Sequence, residues 1–304
     1  MTVGSGSHTY EWNSRWAQLP AGVELGYTHG VAVDRQGRVL VHNQSKDAVI
    51  LFDSEGRYLS SWGEEFQAGA HGLYLSEEER QEYLYLADYV RHTVVKTTLE
   101  GEVIWRLGMP ERPDIYESAE QYKPTDVAVA PGGDFYVFDG YGKSWIHRYN
   151  RVAEYLGSFG GPGSEPGRVT CPHGGWVDTR GPEPVLLVAD RGNRRIQRFD
   201  LAGNHLDFVT EELRQPCCFH QYQDEIVIPD LQGRVTIFDA DNTLITHLGD
   251  QPEVWTKAGW PNLPHDQRHD GKFNSPHAAC YDADGNIYVV EWIEDGRITK
   301  LTRQ

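Results

Sequence analysis

HGVAVDRQGRVLVHNQSKDAVILFDSEGRYLSSWG, residues 29–63, decides the reading of the fold. It holds four short apolar runs: HGVAV, a second run ending in HN, then AVILFD and YLSSWG. The first two are joined by DRQGR, whose Asp and Gly suit a tight turn, and no run has helical length or period. The same grammar restarts at His71 (HGLYL), Thr125 (TDVAVAPGGDFYVFDGY), His173 (HGGWVD), Cys217 (CCFHQYQDEIVIPD) and His277 (HAACYDADGNIYVVEW). Six repeats of roughly 40–60 residues, four strands each, predict an all-β, six-bladed β-propeller, in which radial stacking leaves few open sheet edges.

The sixth repeat ends after its third strand, RITKLT, so its outer strand is expected from HTYEWNSRW (8–16). Pairing the two ends closes the ring and makes residues 1–304 one domain, with blades starting near 29, 71, 125, 173, 217 and 277. Pro- and Gly-rich inserts at 108–122, 160–171 and 250–275 read as loops that precede first strands and crowd one face.

A formal charge of −17 repels phosphate backbones, and no Lys/Arg cluster offsets it, so nucleic acid is not an expected partner. No stretch approaches 18 apolar residues and MTVGSGSHTYEW lacks the features of a signal peptide, which predicts a cytoplasmic chain without a membrane partner. The cysteines at 171, 217, 218 and 280 follow no zinc-knuckle or disulfide spacing and read as reduced thiols. A closed ring needs no oligomerisation to bury its edges, so a monomer suffices.

At the aligned head of the first strands stand His29, His71, Thr125, His173, Cys217 and His277. First strands line a propeller's channel, so these side chains should converge on one axis. His71, His173 and His277 belong to alternate repeats, and three imidazoles with one open position describe a catalytic zinc site; iron, nickel or copper suit the same donors. His29 is a further ligand or a substrate contact. The eight histidines at 42, 92, 147, 205, 220, 247, 265 and 269 fall at other registers and read as surface or loop residues.

The second strands end in Asn43, Asp88, Asp139, Asp190, Asp230 and Glu291, a pattern read as turn-amide acceptors. Residues next to these ends differ between repeats, among them Tyr89, Tyr141, Arg191 and Trp292, and such variation is where a symmetric scaffold individualises a site.

KPTDVAV (123–129) with FYVFDGY (135–141), and PHGGWVD (172–178) with VADRGNRRIQRF (188–199), resemble peptidyl-α-hydroxyglycine α-amidating lyases, a family of NHL-repeat propellers. The resemblance implies zinc ligands at His71, His173 and His277, Tyr141 of DGY as general base, and Arg191 of ADR as its cationic partner. A nearby cation and metal favour the phenolate of a tyrosine that otherwise titrates near pH 10. The base takes the proton of a substrate hydroxyl, the alkoxide collapses to a carbonyl, and the leaving group departs.

Asn43 stands where that family carries the arginine that reads a substrate carboxylate, which points away from a C-terminal hydroxyglycine. Ala278 stands where the family has a calcium-ligating aspartate, so calcium is not expected. The expectation is therefore a metal-dependent lyase-like enzyme acting on a small hydroxylated or hydroxy-carbonyl molecule, with His29, Asn43, Tyr89 and Trp292 as substrate contacts. The alternatives are an epimerase, isomerase or dehydratase on the same scaffold, and a non-catalytic NHL propeller that binds a protein or peptide.

Overall fold

The second strand of each blade is packed on both faces, and this is why it reads as a nearly unbroken apolar run rather than as an alternation. Val39–Asn43, Val49–Phe52 and Phe135–Phe138 are buried at every position, whereas the outer strand Tyr58–Trp62 is partly exposed. The computed structural model describes residues 1–304 and is a six-bladed β-propeller of antiparallel sheets, with helix confined to short 3₁₀ turns.

Residues 1–67 and 212–304 form one compact unit. It holds blade one (first strand Thr28–Val33), blade five (His220–Tyr222) and blade six (Pro276–Tyr281). Blade six is completed by His8–Asn13, which pairs with Arg303 through Lys300, so the N-terminal strand closes the last blade as the sequence predicts. A fifth strand, Thr2–Ser5, adds outside it. That strand was not predicted, because four residues of TVGS carry no apolar alternation. Trp16 lies beyond the closing strand and packs on Phe52 and Tyr288 at ring distances of 5.5 and 5.0 Å.

Residues 68–211 form the other unit, with blades two, three and four beginning at Ala70–Glu78, Asp126–Val129 and Pro172–Asp178. Phe135 stacks on Tyr149 and Trp105 between blades two and three, and Phe138, Phe199 and Val188 fill the space between three and four.

The acids at the second-strand ends bind turn amides, as expected from their register. Asp190 accepts from the Thr170 amide at 2.7 Å, Glu291 from Asn274 at 2.6 Å, and Asp139 from Lys123 and Lys143 at 2.7 and 2.6 Å. Each carboxylate thereby locks the chain just ahead of its blade's first strand.

Gly140, between Asp139 and Tyr141, has no room for a side chain: a Cβ would lie 2.5 Å from Thr125 Oγ1 and 2.7 Å from the Pro172 carbonyl. Gly140→Ala is expected to destabilise the protein by about 1–3 kcal/mol, the usual cost of overpacking. The check is the urea midpoint at constant m-value.

Candidate functional site

All four ring histidines sit in irregular pairings at the heads of their first strands. The register with the second strand shifts between Thr28 and Gly30, Ala70 and Leu73, Pro172 and Gly175, and Pro276 and Ala278. Blade five, with Cys217 at this position, carries the same one-residue slip, from Pro216 opposite Asp230 to His220 opposite Val227, so the bulge belongs to the repeat and is not confined to the histidines. A bulge re-aims one side chain out of the pleat.

In the unit of residues 68–211, His71 and His173 flank the hydroxyl of Tyr141. Tyr141 Oη lies 3.1 Å from His71 Nε2 and 3.2 Å from His173 Nε2, and the His71 and His173 rings are 4.8 Å apart. Arg191 donates to the same hydroxyl at 3.3 Å and to Cys171 Sγ at 3.4 Å. Tyr89 stands edge-on to His71 and Tyr141, with ring distances of 5.9 and 5.6 Å. Tyr141, Arg191 and Tyr89 are half-buried, while both histidines are buried.

His71 Nδ1 donates to the Thr125 carbonyl at 2.6 Å, so its Nε2 carries a lone pair. The Gly72 amide donates to the same carbonyl at 2.9 Å, and a Cβ on Gly72 would lie 2.5 Å from Asp126 Oδ1, which explains the glycine after this histidine.

In the unit of residues 1–67 and 212–304, His29 and His277 meet with ring centroids 4.6 Å apart, and His29 Nδ1 is 3.4 Å from His277 Nε2. His277 Nδ1 donates to the His29 carbonyl at 2.9 Å, again leaving Nε2 as the lone-pair nitrogen. A ring nitrogen tied to a backbone carbonyl is the usual support of a metal-ligating imidazole, because it fixes the tautomer and the ring orientation. His29 and His277, both buried, thus bring two imidazole donors together in this unit.

Trp292 is half-buried, 5.6 Å from the Tyr27 ring and 6.1 Å from Trp260, and Asn262 donates to Tyr27 Oη at 2.7 Å. Tyr27, Trp260 and Asn262 escaped sequence reading, since the last two lie in the 250–275 insert and have no repeat register. Asn43 is fully buried, with Oδ1 accepting from the Gly26 amide at 2.9 Å and Nδ2 donating to the Asp47 carbonyl at 2.9 Å. It serves its turn as the acids do in other blades, so the role of substrate contact does not suit it.

The expectation that His42 and His147 are surface or loop residues is overturned: both are wholly buried. Each lies on a middle strand, where both faces are packed. Burial pushes the His147 imidazole down to about 3.

Asp126 lies under the same region, with Oδ2 accepting from the Gly175 amide at 3.3 Å, and burial pushes its carboxyl up to about 8. A folded-state pKa above the unfolded value means that the native state holds the proton more tightly. Its contribution to stability is therefore full below pH 4 and is lost as pH rises through about 8. Wild type minus Asp126→Asn, compared by urea midpoints from pH 4 to 9, is expected to fall across that window.

These features define a propeller with an imidazole, phenol and guanidinium cluster in its first-strand region. The chain is similar to proteins named for NHL repeats and for amidating lyases. NHL repeat-containing protein 3 of Homo sapiens is 28% identical over 63% of this chain. Peptidyl-alpha-hydroxyglycine alpha-amidating lyase 1 of Drosophila melanogaster is 27% identical, with 94% of this chain aligned. The chain spans 56% and 58% of the length of these two relatives. A streptogramin B lyase structure superposes with a TM-score of 0.66 at 12% identity, covering 97% of this chain and 98% of that one. A gluconolactonase from Xanthomonas campestris gives 0.65 at 13% identity, covering 92% and 87%. Both show the fold alone. No protein-family model matches the chain, and no helix is long and apolar enough to cross a membrane.

Proposed function

We propose that the protein is a metal-dependent, lyase-like enzyme acting on a small hydroxylated or hydroxy-carbonyl compound. The observation that carries this reading is the Tyr141 hydroxyl set between two imidazole Nε2 atoms, with Arg191 donating to it. The name of the fly relative, which cleaves a peptidyl-alpha-hydroxyglycine, supports the reaction class.

His71, His173 and His277 would hold zinc or another divalent transition metal, with His29 as a further donor. The backbone-anchored Nδ1 atoms of His71 and His277 fit that role. When bound, the ion would supply Lewis-acid polarisation of a substrate oxygen. Tyr141 takes the proton of the substrate hydroxyl, and Arg191 stabilises the phenolate that receives it. As the O–H bond breaks, its electron pair forms the carbonyl, and the bond to the leaving group breaks with its pair. Tyr89 and Trp292 offer aromatic faces to the substrate. Asn43, buried and engaged in its turn, offers no carboxylate clamp, which favours a neutral substrate.

The test is turnover of a panel of N-acyl-α-hydroxyglycines, their amides and hydroxy-ketones by zinc-loaded protein. Carbonyl product from a neutral member supports the reading, and no turnover across the panel overturns it.

A further inference from the structure

In blades four, five and six the acid that ends the second strand faces an arginine across the sheet. Asp190 pairs with Arg195 at 2.7 Å, Asp230 with Arg234 at 3.4 Å, and Glu291 with Arg297. In blade three the facing residue is Trp145, whose carbonyl accepts from the Asp139 amide at 2.9 Å and which brings no cation.

The place of the arginine is taken from outside the repeat. Tyr116, in the 108–122 insert, is 3% exposed and donates to Asp139 Oδ2 at 2.6 Å. Its oxygen lies 2.7 Å from His147 Nε2, and His147 Nδ1 lies 2.7 Å from Ser158 Oγ. Only one direction satisfies every group of a neutral His147. Ser158 donates to Nδ1, Nε2–H donates to Tyr116, and Tyr116 donates to Asp139. The carboxylate at the end of this chain grips the amides of Lys123 and Lys143, on either side of Tyr141. The Tyr141 amide itself donates to the Lys123 carbonyl at 3.3 Å.

We propose that Tyr116 and Asp139 are positioning residues for Tyr141, with the insert tyrosine replacing the arginine that steadies the equivalent acid in blades four to six. The proposal rests on the reading of Tyr141 as the base. In this blade no arginine faces the strand-end acid across the sheet, and Arg191 is the cation that donates to the phenol.

The experiment compares wild type, Tyr116→Phe, Asp139→Asn, Tyr116→Phe/Trp145→Arg and Tyr141→Phe. In metal-free protein, nitrogen-15 NMR of the His71 and His173 rings reports whether the Tyr141 hydroxyl keeps its place. Tyr116→Phe is expected to move both Nε2 resonances towards their positions in Tyr141→Phe, and Trp145→Arg on that background to return them. With zinc and a turned-over substrate, kcat is expected to fall about 10–100-fold at unchanged KM, the scale of a misplaced catalytic group. Unmoved His71 and His173 resonances in both Tyr116→Phe and Asp139→Asn would overturn the proposal. If wild type turns over no substrate, the enzymatic reading fails, and the resonances still decide whether Tyr116 and Asp139 position Tyr141.

Discussion

Tyr141→Phe is expected to lower kcat by about 10²–10⁴-fold, the range for loss of a general base, with little change in KM. The substitution keeps the ring that stands edge-on to His71 and removes only the hydroxyl shared by His71, His173 and Arg191. Folding and metal content should therefore be preserved. Equal loss in kcat and kcat/KM marks an interaction made in the transition state. A phenylalanine variant that turns over the identified substrate at the wild-type rate would remove Tyr141 from the chemistry.

The second large effect is on metal binding. His173→Ala is expected to weaken zinc affinity on the order of a hundredfold or more. An apparent binding energy of about 10–16 kcal/mol for a four-ligand zinc site leaves several kcal/mol to each ligand. Purified wild type should carry about one transition-metal ion per chain, measured by elemental analysis, and the variant should lose it on dialysis. His29→Ala, in blade one, is tested in the same assay. If affinity falls with His29→Ala and holds with His173→Ala, His29 is a ligand in place of His173, and His173 acts only through Tyr141. If neither variant changes affinity, or wild type binds no zinc, the metal-dependent mechanism fails.

Much of this was legible in the linear chain because a propeller repeats one local problem. Each blade must hide two middle strands and turn three times, so apolar runs and strand-end acids recur at one register. The histidines at 29, 71, 173 and 277 stood out for the same reason, as did Tyr141 and Arg191 beside the strand ends of blades three and four. Asn43 was legible in the same way as a strand-end turn acceptor, and its bonds to Gly26 and Asp47 keep its side chain engaged there.

Other features depend on contacts between segments far apart in sequence and follow no period. Tyr116 reaches Asp139 from the 108–122 insert, whose residues follow no repeat register, and Trp260 and Asn262 reach Trp292 and Tyr27 from the 250–275 insert in the same way. Burial of His42 and His147 depends on both faces of a middle strand being covered, which one strand's composition does not reveal. The amino-acid sequence by itself determined the blade count, the closing strand His8–Asn13 and the histidine register. Tertiary structure alone decided which ring nitrogens carry lone pairs and where the Tyr141 hydroxyl rests. Those outcomes depend on bulges and backbone carbonyls that exist only once strands pair.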